Sequence, residues 1–244
     1  MPTKYPVNNF ILLIILSAIW GSAFFAIKVG LNSFSPTAVA SLRLIVASIF
    51  LLFLFYFQKK TIIFTKEILF LLIIIGIIGN FIPFFLISWA EQFIPSSTAG
   101  MLMAIGPIIT LVMSHFLTKN EKFSIMKLIS ISIGLIGVFF IFNINSLDNL
   151  LINTSIDILA KLLVILAAFG YMFSNIIAYE KLTKIDSFSI TTFATAFGAI
   201  FSIPFFIYDI SYNNFNYNFN YNSVYAIIYL GIFPTAIAFQ FRYY

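Results

Sequence analysis

Eight apolar runs, most of them about 20 residues long, occupy almost the whole chain. An α-helix needs about 20 such residues to cross the hydrocarbon of a bilayer. The runs lack the alternation of polar and apolar residues that marks membrane β-strands, so helices are predicted. Hydrophobic residues make up 61% of the 244 residues and charged residues only 9%. A soluble core could not bury that much apolar surface, and the predicted fold class is an all-α integral membrane bundle.

The helix boundaries follow from the ends of these runs and from proline positions. Pro36 and Pro95 mark two of the starts, because the first turn of a helix loses nothing from a missing backbone N–H. A signal peptide is the alternative for the first run, but Ser17-Ala18-Ile19 is a poor cleavage site. The eight predicted spans, numbered in chain order, comprise residues 9–31, 36–57, 68–90, 95–117, 124–142, 158–179, 187–208 and 224–243.

The basic residues predict the orientation of these spans. With the N-terminus inside, the cytoplasmic segments contain Lys4, Lys59, Lys60, Lys66, Lys119, Lys122, Lys127, Lys181, Lys184 and Arg242. Only Lys28, Arg43 and Lys161 oppose them, as the positive-inside rule requires. Residues 143–157 and 209–222 carry no Lys or Arg and are predicted to be polar outer loops. We therefore expect a multi-pass protein of the cell inner (cytoplasmic) membrane with a cytoplasmic N-terminus.

A displacement of the chain by 151 residues aligns the first three spans with the last three. Trp20 then meets Tyr171, and Pro83 meets Pro234. Five spans separate the copies, and an odd number inverts the second copy in the membrane. We interpret residues 1–147 as a five-helix repeat and residues 148–244 as the first three helices of an inverted second repeat. The final two helices of that repeat are expected to be absent, or to be supplied by a partner chain.

Several motifs resemble those of a known transporter family. They are Trp20-Gly21-Ser22, Pro36 with Arg43, Ile94-Pro95-Ser96-Ser97-Thr98-Ala99-Gly100, Pro107, Glu121, Gly134-Leu135-Ile136-Gly137-Val138 and Gly231-Ile232-Phe233-Pro234-Thr235-Ala236. The chain resembles the EamA-type permeases of the drug/metabolite transporter superfamily. This resemblance implies ten helices in two inverted halves, a central cavity that faces alternate sides, and transport of amino acids or other metabolites.

Polar and aromatic residues within the third span predict one wall of a cavity. Asn80, Phe84 and Ser88 follow at i, i+4 and i+8, which places them on one face of a helix beside Pro83. Polar groups inside a span usually face a cavity or another helix. The alternative is that Asn80 only bonds a neighbouring helix.

The first and sixth spans supply further candidates for substrate contact. Tyr171 and Asn175 share a helix face at i, i+4, and Trp20 is the repeat counterpart of Tyr171. Aromatic walls suit amphipathic metabolites. Packing of Trp20 between helices beside Gly21 is the alternative.

Two charged residues, Glu91 and Arg43, lie near the ends of predicted spans. Glu91 follows the third span and is predicted either to be solvated next to an interfacial aromatic belt at Trp89, or to be a proton or cation site if it points inward. Arg43 lies about 10 Å into the second span and is predicted to extend to the outer interface as an anchor.

Prolines within spans predict helix breaks or hinges, because each removes a helix hydrogen bond. The three such residues are Pro83, Pro107 and Pro234. Gly76 and Gly79 in the third span, and Gly134 and Gly137 in the fifth, are predicted to permit close helix packing.

The composition excludes several classes of function. With no Cys and one His, neither thiolate chemistry nor a metal site is predicted, and enzyme motifs and cofactor fingerprints are absent. Scattered lysines do not form a basic face for nucleic acid. The sequence thus predicts a secondary transporter without a cofactor, whose partners are a small-molecule substrate and the bilayer, as a monomer or homodimer. The alternatives are an inactive fragment, a partner-dependent subunit, or a lipid-modifying membrane enzyme.

Overall fold

The computed structural model describes residues 7–118, 123–141, 154–212 and 220–241, and all regular structure in these ranges is helical. The α-helices are α1 (Val7–Gly30), α2 (Pro36–Phe57), α3 (Lys66–Gly76), α4 (Ile82–Ala90), α5 (Ser96–Met103), α6 (Gly106–Leu117), α7 (Ile125–Ile141), α8 (Ser155–Lys181), α9 (Ser187–Tyr212), α10 (Tyr221–Leu230) and α11 (Ala238–Gln240). Two π-helical segments, π1 (Ile77–Phe81) and π2 (Gly231–Ile237), connect α3 to α4 and α10 to α11.

Seven helical stretches in the described residues are long and apolar enough to cross a membrane. They are Phe10–Gly30, Pro36–Phe57, Lys66–Ala90, Ser96–Leu117, Ser155–Lys181, Ser187–Ser211 and Tyr221–Gln240. A shorter apolar helix, Ile125–Val138, lies at the predicted fifth span. The predicted all-α membrane bundle of about eight helices is confirmed, and the chain is a multi-pass membrane protein.

Side-chain caps fix several helix starts. Ser35 Oγ accepts a hydrogen bond from the Ala38 amide at 3.1 Å, and Thr65 does the same for α3. Thr154 caps α8 through the Asp157 amide, so the sixth span begins at Ser155 rather than at residue 158. The last span likewise begins at Tyr221, behind the cap Asn220.

The prediction that residues 209–212 belong to an outer loop is wrong. The α9 helix continues through Tyr212, and Asp209 is buried in it. The Ser35 hydroxyl donates a hydrogen bond to the Asp209 carboxylate, which compensates for the burial of that charge. Residues 213–219, and most of the other predicted outer loop, lie outside the described residues.

Each π segment lies at or next to one of the two prolines, Pro83 and Pro234, that align when the chain is displaced by 151 residues. Pro83 follows π1, and Pro234 lies within π2. Proline removes one backbone donor, and wider turns are a common response to a break in the helix ladder. The Thr235 hydroxyl donates to the Leu230 carbonyl at 2.7 Å and so satisfies the oxygen four residues before Pro234.

The helices pack around α2 and α9, which lie along each other at the centre of the bundle. The third span packs on α9, and π2 packs on α2. Close contacts occur at glycines: a Cβ on Gly76 would lie 2.4 Å from the Ala194 carbonyl oxygen, and one on Gly231 would lie 2.6 Å from Val46 Cγ1. Contacts of the third span with the seventh, and of the eighth span with the second, are those that two inverted repeats would exchange. The division into two repeats stays a prediction.

Polar contacts define the two ends of the bundle. At one end, the Lys60 face, the ammonium of Lys60 lies 2.6 Å from the Asp186 carboxylate. At the other end, the Glu91 face, Lys28, Ser35, Glu91 and Asp209 lie at helix ends. Connections after the second and sixth spans therefore share one side, as alternating membrane crossings require.

Candidate functional site

A cavity of about 280 Å³ lies among six of the spans. Its walls are mostly aromatic and aliphatic, and its lining residues are Trp20, Ala23, Phe24, Ile27, Arg43, Phe84, Ile87, Met103, Tyr171, Met172, Asn175 and Phe239. A concave apolar site with a few polar groups is the usual architecture of a small-molecule site.

Four of the six candidate cavity residues lie in this lining: Trp20, Phe84, Tyr171 and Asn175. The rings of Phe84 and Tyr171 lie 6.0 Å apart, which joins the third span to the sixth. Trp20 is partly exposed and lies in the same wall as Phe24. Residues far apart in the chain thus meet in one site, although their contact with a substrate stays a prediction.

Asn80 and Ser88 are buried but lie outside the cavity lining. Spacings of i, i+4 and i+8 share one face only in a regular α-helix, whereas Asn80 lies in π1, where each turn contains an extra residue. Asn80 instead packs near Gly198 of α9, with 3.6 Å between its Cβ and the position of an added Cβ. The third span therefore contributes Phe84 and Ile87 to the lining.

Arg43 enters the cavity, and the expectation that it extends to the interface is wrong. Its side chain is only 4% exposed because α2 is surrounded by other spans. Nε donates to Thr235 Oγ1 at 3.0 Å, and the guanidinium carbon lies 3.6 Å from the centre of the Phe84 ring. The sequence contains one signal for the position of this side chain. A single arginine inside an apolar span by default marks a functional residue.

A larger cleft, about 1250 Å³, joins the cavity to the Lys60 face. The two share Met103, Met172 and Asn175, so Asn175 lies at their junction. The cleft lies between the fourth, fifth, sixth and seventh spans, and Pro107 is part of its wall. The fourth span is interrupted just before Pro107, since α5 ends at Met103 and α6 begins at Gly106. The three predicted helix-break prolines thus all lie at or beside irregular helix segments.

Partly buried polar contacts join the helices at the Glu91 face. Lys28 Nζ donates to the Glu91 carbonyl oxygen, and Ser96 Oγ donates to Glu91 Oε2 at 2.9 Å. Glu91 is fully buried, so the expectation of a solvated carboxylate is wrong. Burial raises the pKa of Glu91, the first residue after the third span, to about 8, although Ser96, Lys28 and Arg43 oppose the rise. Its side chain lies outside the cavity lining.

Metal ligands are sparse around this site. Within the described ranges, no three His, Asp or Glu side chains lie close enough together to hold a metal ion. The cavity lining contains neither a carboxylate nor a histidine among those residues. The arrangement can therefore bind and release a small molecule through aromatic, amide and guanidinium contacts.

Comparisons with known proteins agree with this architecture. Residues 8–143, more than half of the chain, match the model of the EamA-like transporter family. The uncharacterized transporter YoaV of Bacillus subtilis is 28% identical over 188 residues, which cover 77% of this chain and 63% of YoaV. The uncharacterized inner membrane transporter YedA of Escherichia coli is 28% identical over 219 residues, which cover 77% of this chain and 69% of YedA.

A solved crystal structure shows a similar fold. The TM-score is 0.71 at 16% identity, and the match covers 95% of this chain and 76% of the other. At that identity the likeness concerns the fold alone. The chain spans less than two thirds of the length of YoaV.

Proposed function

We propose that this chain, which belongs to the EamA-like transporter family, is a secondary transporter that moves small metabolites such as amino acids across the membrane by alternating access. The observation that carries this proposal is the cavity among the spans, which continues into a cleft at the Lys60 face, while polar contacts of the described residues join the helices at the Glu91 face. A site that is open to one side only is what alternating access requires in each of its end states.

In the proposed cycle, two inverted halves move against each other about the cavity. Residues 1–147 and 148–244 are the proposed halves, and the irregular segments at Pro83, Pro107 and Pro234 are the proposed hinges. With the N-terminus inside, the Lys60 face is cytoplasmic and this conformation is open inward. Opening the other side requires separation of the contacts that Glu91 makes with Lys28 and Ser96.

The cavity favours facilitated diffusion or exchange over proton coupling at the substrate itself. No carboxylate lines the cavity in the described part of the chain. Glu91, which lies outside the cavity lining, is the proposed proton or cation site. Its carboxylate is buried, and its Oε1 has no hydrogen-bond partner among the described residues. Protonation of Glu91 would reduce its electrostatic attraction to Lys28 and so favour opening of the Glu91 face.

Substitution of the two tryptophans tests the proposed cavity. In proteoliposomes that contain the chain, we expect uptake of at least one member of an amino-acid and metabolite panel. Trp20→Ala should lower that uptake about tenfold or more, because loss of an aromatic side chain that anchors a ligand typically weakens binding by about 2 kcal/mol. Trp89→Ala is the matched control, since Trp89 packs against Phe93 away from the cavity. Equal uptake by both variants would exclude Trp20 from the transport site.

The buried carboxylate of Glu91 predicts a pH-dependent stability. Its pKa is about 8 in the folded chain and 4.5 when unperturbed, so the folded state binds the proton more tightly. Stability is therefore greatest below pH 4.5, falls as pH rises towards 8, and changes little above it. Thermal unfolding in nanodiscs between pH 5 and 9 should show this fall for the parent chain, whereas Glu91→Gln should remove it. An identical slope in both proteins would contradict the assignment.

A further inference from the structure

Arg43 is the only charged side chain among the described residues that line the cavity. It lies on α2, at the centre of the bundle, and is almost completely buried. Isolated buried charges are strongly unfavourable unless they are paired or neutralised. A guanidinium in such a position therefore needs a partner.

The described residues satisfy only part of the hydrogen-bonding capacity of the guanidinium. Thr235 Oγ1 accepts from Nε, and the Thr235 hydroxyl in turn donates to the Leu230 carbonyl. The ion pairs of the described residues join Lys60 to Asp186 and Lys161 to Asp157, and neither includes Arg43. The two Nη groups have no hydrogen-bond acceptor in the described ranges. Among the described residues, the positive charge therefore has no anion within ion-pair distance, and Glu91 interacts with it only electrostatically from outside the cavity lining.

Two contacts position the guanidinium. Its carbon lies 3.6 Å from the centre of the Phe84 ring, which is a cation–π contact. The bond from Nε to Thr235 limits its rotation. The remaining N–H groups form a fork of the shape that a carboxylate accepts in two parallel hydrogen bonds.

We propose that Arg43 binds the carboxylate of the transported molecule through its Nη groups, so that the substrates carry one carboxylate and an apolar portion. This inference rests on the proposed function and adds the chemical group that is recognised. One buried cation matches one negative charge, which favours a carboxylate over a doubly charged phosphate ester. The apolar portion of the substrate packs against Trp20 and Tyr171 in the same cavity.

Tryptophan fluorescence provides the test. The chain contains two tryptophans, so Trp89→Phe leaves Trp20 as a reporter within the cavity. The parent for the test is the full chain with this change, in nanodiscs. The probes are 3-phenylpropionate and its neutral amide, 3-phenylpropionamide, which have the same ring and chain but differ in charge.

We expect the carboxylate to quench the parent at lower concentration than the amide does. Arg43→Gln should weaken carboxylate binding about tenfold or more, the usual effect of losing hydrogen bonds to a charged group, and should change amide binding less than twofold. Arg43→Lys should restore part of the loss, because it keeps the charge without the planar fork. Unchanged amide binding shows that the cavity of the glutamine variant is still folded.

Two results would overturn the inference: equal carboxylate affinity in the parent and Arg43→Gln, or an equal loss for both probes. Failure of the proposed function has a different signature. In that case, neither the parent nor Arg43→Gln transports any panel compound into proteoliposomes. The parent still binds the carboxylate more tightly than the amide in the fluorescence assay.

Discussion

Gly76→Ala is expected to destabilise the fold by about 3 kcal/mol, the upper part of the usual range for overpacking. An added Cβ would lie 2.4 Å from the Ala194 carbonyl oxygen and 2.8 Å from the Gly198 amide nitrogen. Both are backbone atoms of α9, which cannot move aside as the tip of a flexible side chain can. The third span and α9 would have to separate. Unfolding of the purified protein in mixed micelles by increasing denaturing detergent measures the loss.

The same substitution elsewhere provides the control. Gly137→Ala in α7 meets no described atom within 4 Å and should leave stability unchanged or slightly improved, because alanine favours helix more than glycine. Comparable losses in the two variants would mean that glycine acts here through the helix backbone rather than through close packing.

Asn175→Cys is expected to react almost completely with a water-soluble maleimide, whereas Ser174→Cys should react hardly at all. Asn175 lies at the junction of cavity and cleft, and its neighbour Ser174 is completely buried. The chain contains no natural cysteine, so each variant has a single thiol. Reaction depends on access to solvent as much as on thiol chemistry. Mass spectrometry of the labelled protein gives the labelled fraction.

The side from which Asn175→Cys reacts tests the proposed orientation. With the N-terminus inside, the cleft opens to the cytoplasm. Inside-out vesicles should therefore label fast, and intact cells should label slowly. Fast labelling from outside intact cells would reverse the assignment of the two faces. Full labelling of Ser174→Cys would contradict the packing of α8.

The sequence could predict the spans because their signals are local. Runs of apolar residues define the helices, and small polar residues such as Ser35 and Thr65 mark their starts. Four candidate cavity residues also converge, and two of them, Tyr171 and Asn175, follow at i and i+4 on one face of α8.

Two errors concern partners that are distant in the chain, and a third concerns local helix geometry. Arg43 was expected to reach the interface because only its depth in one helix was considered, whereas the surrounding spans close that path. Asp209 was placed in a loop because its hydrogen-bond donor, Ser35, is 174 residues away. The assumption of 3.6 residues per turn misplaced Asn80, since a π segment is not visible in hydrophobic periodicity.

Glycines show the same limit of local reasoning. Four were predicted to permit close packing, and the structure distinguishes two pairs. Gly76 and Gly79 each lie where an added Cβ would overlap atoms of another span, while Gly134 and Gly137 meet none of the described atoms within 4 Å. The residue type alone cannot separate these cases, because the difference depends on which helix lies opposite.

In the proposed mechanism, substrates cross the membrane through the cavity and the cleft that joins it. Uptake of a transported panel compound by proteoliposomes that contain Asn175→Cys, before and after complete reaction with a bulky maleimide, tests it most directly. We predict that modification reduces uptake to the level of protein-free vesicles, while the same reagent leaves the cysteine-free parent unaffected. Undiminished uptake by the fully modified protein would show that the transport route lies elsewhere.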